Sequence, residues 1–224
     1  MLMPRLLYIV RHGVTDWNQS KCIQGQLDIP LNDAGRSQAA LAAERLASLG
    51  ATALYSSDLL RAYETAQIIA QVVGLRIIQK PGLREMHFGA WQGLTVDEIR
   101  ERDPERYAAR RERPHDVPPP GGEVWWQFYQ RSVKSIHDIL HATDAERVIV
   151  ATHSGVCTVI GLEALGLGYT GKRPFGNANC AIHTIAVEGD RWEAFSLNDV
   201  SHLEELPPAA TPGAKQTALL RRLH

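Results

Sequence analysis

The chain has 224 residues, 44% of them hydrophobic, with 24 Lys and Arg against 25 Asp and Glu for a formal net charge of −1. That is enough apolar mass to bury one catalytic domain without disulfides or a structural metal, and the near-neutral balance gives no overall attraction to nucleic acid or to an anionic membrane. Cys22, Cys157 and Cys180 stand at unrelated spacings without a Cys-x-x-Cys pair, which predicts reduced thiols in a cytoplasmic protein, and the apolar stretch within residues 1–10 is too short to span a membrane.

In chain order, the hydrophobic pattern predicts a strand over 5–10 and a helix from about Ala34 to Leu49, capped by Asn32 or Asp33 and stopped by Gly50. A strand over 52–56 follows, then a helix over 58–73 with Ser57 as its N-cap, and a strand over 75–79. Residues 83–93 form a Gly-punctuated loop carrying Glu85. Thr95 to Arg102 and Pro104 to Arg113 read as helices dense in both charges, outside the sheet. After a break at Pro114 to Gly122 comes a long helix from Glu123 to Ala142, whose aromatics Trp125, Trp126, Phe128 and Tyr129 are expected mostly in the core. Strands at about 147–152, 181–187 and 191–197 complete the set, the last two joined through Glu188-Gly189-Asp190 as a hairpin.

Strands alternating with helices imply a largely parallel sheet covered on both faces. The expected fold is a three-layer α/β/α sandwich with a mostly parallel sheet, one antiparallel edge strand and a helical lid insertion. The domain is expected to occupy 1–206 with the lid at about 86–122, leaving 207–224, which turns to Pro, Ala and Gly before ending on Arg221 and Arg222, as a flexible tail.

Chemistry gathers where strands end. The first strand delivers Arg11-His12-Gly13, and the carboxyl ends of strands are where open α/β sheets place ligand sites. A neutral imidazole beside a guanidinium fork suits attack on a phosphate whose oxygens are held by arginine. Arg61 falls in the first turn of its helix, and His153-Ser154-Gly155 opens another, where free backbone N–H groups face an anion. Cys157, in the apolar helix beyond, reads as core.

These segments together resemble the histidine phosphatase superfamily, the phosphoglycerate mutase-like group, from Arg5 to about Leu197. The resemblance is carried by Arg11-His12-Gly13 with Thr15, Trp17 and Asn18, by Gln24-Gly25, by Asp28 to Asn32 with Gly35, and by Ser56 to Ala62 with Thr65-Ala66. The loop from Leu83 to Gly93, Pro120-Gly121-Gly122-Glu123 and Thr152 to Val156 complete it in order. It implies that His12 is the nucleophile and becomes a phosphohistidine, that Arg11, Arg61 and His153 bind the transferring phosphoryl group, and that Glu85 protonates the leaving oxygen and later activates water. Asn18, Gln24, Gly25 and the backbone N–H of Ser154 are implied as further phosphate or substrate contacts. No metal and no cofactor are implied. Three positions depart from the family pattern: Ser154 stands where glycine is frequent, Lys21 where arginine is common, and His87 where an acidic or small residue is usual.

Three functions fit such a chain. One is an acid-type phosphatase hydrolysing small phosphorylated metabolites, the second a phosphoglycerate mutase, and the third a non-catalytic phospholigand binder. The phosphatase is preferred, because only about 35 residues separate Glu85 from Gly121, shorter than the insertion mutases usually carry. A homodimer through a sheet edge is left open, with neither nucleic acid nor membrane as a partner.

Overall fold

The computed structural model describes residues 4–170 and 172–204. The expected C-terminal tail therefore lies outside the described residues. Six strands form one sheet in the order β3-β2-β4-β1-β5-β6, with β1 at Arg5–Arg11, β2 at Ala53–Ser56, β3 at Ile77–Gln79, β4 at Arg147–Thr152, β5 at Ile182–Glu188 and β6 at Arg191–Asp199. The helices are α1 (Asp16–Gln19), α2 (Asp33–Ala47), α3 (Leu60–Val73), α4 (Val96–Arg102), α5 (Pro104–Glu112), α6 (Trp125–His141) and α7 (Ser154–Ala164).

The central strands are apolar on both sides because both faces are covered. Along β1, Leu7 and Ile9 pack with Phe128, Ile136 and Ile139 of α6 and Val156 of α7. Tyr8 and Val10, pointing the other way, pack with Ala43 and Leu46 of α2 and Ile69 of α3. β4 divides likewise, Val148 and Val150 to one core and Ile149 to the other. This is the expected three-layer sandwich.

One refinement concerns the strand that runs against the rest. β3, β2, β4 and β1 are mutually parallel, and β5 is antiparallel to β1. The edge itself is β6, which turns back through the hairpin at Gly189 and so regains the direction of β1. The opposed strand is thus one in from the edge. Its amino end, and the loop leading into it, lie at the same end of the sheet as the carboxyl ends of β1, β2 and β4.

Local chemistry accounts for several element boundaries. Asn32 caps α2 by accepting from the Gly35 N–H at 2.9 Å, and Thr95 caps α4 in a capping box with Glu98. The start of α3 differs from expectation. Ser57 is not its N-cap; the capping position is Leu59, which has no side chain to offer, and the free N–H of Leu60 is taken instead by Asp28 Oδ1 at 2.9 Å from a loop 32 residues earlier. Ser57 is committed elsewhere, as described below. In α6, Phe128 and Tyr129 are buried as expected, whereas Trp126 is 45% exposed.

Candidate active site

Register places the key side chains. Arg11 pairs with Thr152 across β1 and β4, and Ser56 with Ala151 across β2 and β4, so the residues that follow, His12, His153 and Ser57, emerge side by side from three adjacent parallel strands. The His12 N–H donates to Thr152 O at 2.9 Å and the Ser57 N–H to Ala151 O at 3.0 Å, extending the ladder just beyond the strand ends. The two imidazoles lie with ring centroids 5.3 Å apart.

His12 is buried, and its Nδ1 lies 2.7 Å from the carbonyl of Gly13. A carbonyl accepts only from an N–H, so Nδ1 carries the proton and Nε2 keeps its lone pair. Arg61 Nε donates to that Nε2 at 3.2 Å. Burial, then the charges of Arg61 and Arg11, hold the His12 pKa well below its ordinary value. The ring is therefore a neutral imidazole with an available nitrogen, the state a nucleophile needs.

Arg61 is itself buried, anchored by Nη2 to Gly25 O at 2.7 Å and by Nη1 to Leu27 O at 2.9 Å. Burial lowers its pKa to about 10, against the raising influence of Glu85 and Asp28, so it stays cationic at neutral pH. Thr65 links the two segments, its Oγ1 accepting from the Gly13 N–H at 3.1 Å and donating to Arg61 O at 2.8 Å. Arg11 donates from Nη1 to Asn177 O, and its buried Nε has no hydrogen-bond partner among the described residues.

His153 sits fully buried with Nε2 2.8 Å from Ser57 Oγ. Burial, then Arg61, His12 and Arg11, depress its pKa as well. The cationic His153 expected beside a phosphate thus requires the anion's own charge to offset the burial and the neighbouring cations. Its Nδ1 is buried and unpartnered.

Glu85 faces this group across a cleft of about 320 Å³. Its Oε1 accepts from the Met86 N–H at 2.9 Å, and the Gly155 N–H, in the first turn of α7, reaches its two oxygens at 3.2 and 3.1 Å. Glu85 is not tied up by its neighbour Arg84, which instead makes a two-point pair with Asp58 at 2.8 and 2.6 Å. The loop holding Glu85 is fixed from behind by Arg131, which donates to the carbonyls of Gly82, Arg84 and Glu85 and pairs with Glu123. Glu123 also accepts from the His87 N–H at 2.8 Å. The Gly121-Gly122-Glu123 segment is thus a brace for the acid loop, and a Cβ on Gly122 would lie 2.7 Å from His87 O.

Of the remaining expected contacts, Asn18, Gln24, Gly25 and Ser154 all line the cleft. The Asn18 carbonyl accepts from the Thr15 N–H at 3.0 Å and from Asn179 Nδ2 at 3.3 Å, which leaves its NH₂ group as the polar end available to a ligand. Gln24 is buried with an unpartnered Oε1. Gly25 has a second reason to be glycine: its φ is +51°, and a Cβ there would meet Gln92 Oε1 at 2.1 Å. His87 does not line the cleft, because its backbone is drawn to Glu123 and its Nδ1 faces the Gly89 N–H. Cys157 is core, its thiol pushed by burial up to about 12.

Sequence reasoning missed several residues here. Asn179 Nδ2 bridges His12 O at 2.9 Å and Gly13 O at 3.2 Å, and Asn177 Nδ2 reaches Ser154 O at 2.6 Å. Both lie in the loop entering β5, and reading β5 as the antiparallel strand would have brought that loop to the site. Met86, Phe88, Trp125, Phe128 and Arg110 also line the cleft. Among the described residues no group of three or more His, Cys, Asp or Glu is placed to hold a metal ion, and no helix is long and apolar enough to cross a membrane.

A buried neutral imidazole with an unprotonated Nε2, flanked by two arginines and a second histidine and facing a carboxyl, matches one family. Residues 7–200 fit the model of the histidine phosphatase superfamily, branch 1. The chain belongs to that superfamily. It is 40% identical over 208 residues to phosphoglycerate mutase-like protein 4 of Arabidopsis thaliana, covering 89% of this chain and 87% of the relative. It is 38% identical over 203 residues to the metal-independent phosphoserine phosphatase of the same plant, covering 89% and 84%. Among solved structures, mycobacterial glucosyl-3-phosphoglycerate phosphatase in complex with VO3 superimposes with a TM-score of 0.79 at 32% identity, over 87% of this chain and 98% of that one. The fold is the expected one, and of these three relatives two are phosphatases by name and one is phosphoglycerate mutase-like.

Proposed function

We propose that this histidine phosphatase hydrolyses phosphomonoesters by double displacement through His12, without a metal. The observation that carries the reading is the tautomer of His12: Nδ1–H donates a hydrogen bond to Gly13 O, and Nε2, with Arg61 Nε 3.2 Å away, is left as an unprotonated nucleophile in a cationic pocket.

In the first half-reaction Nε2 of His12 forms a bond to phosphorus while the ester P–O bond breaks, and the departing oxygen takes a proton from Glu85. Arg11, Arg61 and His153, with the amides of Asn18 and Gln24 and the Ser154 N–H, hold the equatorial oxygens, where negative charge spreads in the transition state. In the second, the Glu85 carboxylate removes a proton from water, whose oxygen bonds to phosphorus as the P–N bond breaks. Inorganic phosphate leaves, His12 returns neutral and Glu85 is reprotonated. Because burial and the two arginines keep the imidazole unprotonated below its ordinary pKa, the nucleophile stays competent in mildly acidic solution, which supports the acid-type description.

A cleft of about 320 Å³ suits a small phosphorylated metabolite. Residues 86–122, including the charged α4 and α5, form the lid. The free thiols of Cys22, Cys157 and Cys180 support a cytoplasmic setting, and a homodimer is the assembly we retain as a proposal.

The test is phosphate release from a panel of phosphomonoesters in EDTA, with 3-phosphoglycerate included and 2-phosphoglycerate followed with and without 2,3-bisphosphoglycerate. Release without isomerisation is expected. Bisphosphoglycerate-dependent isomerisation makes the chain a mutase, and phosphate binding without turnover makes it a binder; either overturns the reading.

A further inference from the structure

A second cavity, of about 310 Å³, opens beneath α4 and α5 next to the catalytic cleft. Its walls include Trp91, Val96, Ile99, Tyr107 and Pro114, and it shares Ile23, Phe88 and Arg110 with the cleft. The two spaces are therefore neighbouring rooms divided by the Phe88–Arg110 pair. The Arg110 guanidinium carbon lies 5.8 Å from the Phe88 ring centroid, and its N–H groups reach the Val117 carbonyl and, at 3.8 Å, Met86 Sδ. None of these partners is a carboxylate. The partition is held by the cation–π contact, a short hydrogen bond to the Val117 carbonyl and a long one to Met86 Sδ.

The annex is lined mostly by apolar side chains, with the Arg110 and Arg111 stems among them. Val96 remains 40% exposed at the first position of α4, close to buried Trp91 and Ile99. What distinguishes Val96 from other exposed apolar residues is its place in the wall of a hollow that adjoins a site built for an anion. A hollow that adjoins that site across Phe88 and Arg110, on the side away from His12 and under the lid, is where the remainder of a bound phosphomonoester would lie.

We infer that this annex receives the apolar part of the leaving group, so that phosphate esters of apolar alcohols are turned over in preference to those of short ones. The inference rests on the phosphatase reading and adds its substrate class. Phe88 and Arg110 select between the rooms, the ring offering a face to hydrocarbon and the guanidinium its edge to the phosphate side.

The test is kcat/KM for ethyl, butyl and hexyl phosphate. Leaving-group basicity barely changes along this series, so the trend reads binding of the chain. Each buried methylene is worth a factor of about four, and a rise of at least about tenfold from ethyl to hexyl is expected once partial burial is allowed for. Val96→Asp places a charge in the annex at a helix N-terminus that favours an acidic residue, so the fold tolerates it, and the hexyl-to-ethyl ratio should fall toward unity. No hydrolysis of any ester overturns the phosphatase reading itself. Hydrolysis with a flat ratio overturns the annex alone, and a rising ratio untouched by Val96→Asp overturns its location.

Discussion

Arg61 Nε donates to Nε2 of His12 at 3.2 Å while the other two nitrogens of the same guanidinium are held by the carbonyls of Gly25 and Leu27. The cation is thus aimed at the nucleophile by backbone 34 and 36 residues away, and neither its position nor its charge has to be assembled when a phosphate arrives. Arg61→Lys keeps a charge but cannot serve three directions with a planar fork. Its kcat/KM should fall by about 10²- to 10³-fold, read by steady-state kinetics; a loss under threefold would remove Arg61 from the phosphate site.

Among the described residues Glu85 makes no ion pair, and it turns both oxygens to the Gly155 N–H. If it is the proton donor, Glu85→Gln should slow alkyl phosphates by about 10²- to 10⁴-fold and nitrophenyl phosphate far less, since nitrophenolate leaves without a proton. Equal slowing of both would assign Glu85 a positioning role only.

Gly155 carries its own prediction. A Cβ there would lie 2.1 Å from Glu85 Oε1 and 2.8 Å from Phe128 Cζ. The carboxyl is the more movable neighbour, so Gly155→Ala should displace Glu85 and cost about 10²-fold in kcat. Alanine's better helix propensity, about 1 kcal/mol, offsets the shift of the ring, so the melting temperature should change by only a few degrees. Unchanged kcat with a large loss of stability would show that Phe128, not Glu85, gives way.

Stability should fall on mild acidification. Burial, reinforced by arginines, depresses the folded pKa values of His12, His153 and His183, the last to about 3. The unfolded chain protonates these rings near their ordinary value while the folded chain does not, so the unfolded state binds more protons and stability declines as pH drops below about 6.5. Each such ring costs about 1.4 kcal/mol per pH unit there. Thermal unfolding at about pH 7.5 and about pH 5.5 should show a clear drop, and inorganic phosphate should reduce it by favouring the charged His153. A flat profile would mean that the rings titrate normally.

Much of this site is legible in the chain because parallel strands and the helices after them put ligand residues next to recognisable apolar runs. His12 follows β1, Arg61 sits in the first turn of α3 and His153 precedes α7, each found where the local pattern ends. What the pattern hides are the contacts that join distant segments. Ser57 looked like a helix cap, yet its hydroxyl meets His153 across 96 residues while Asp28 supplies the cap. Asn179, which fastens the His12 carbonyl from 167 residues away, gave no local signal because it depends on β5 running against β1. Arg110 and Trp125 were legible as a charged and an aromatic helix residue, and only tertiary packing brings them to the cleft.

The most direct test of the account is to quench the enzyme during turnover of a phosphomonoester and map the phosphoryl group. An acid-labile phosphohistidine on His12 is expected, formed in EDTA and absent from a folded His12→Ala variant that no longer turns over. Wild-type turnover by His12→Ala, or a phosphoryl group trapped elsewhere, would contradict it.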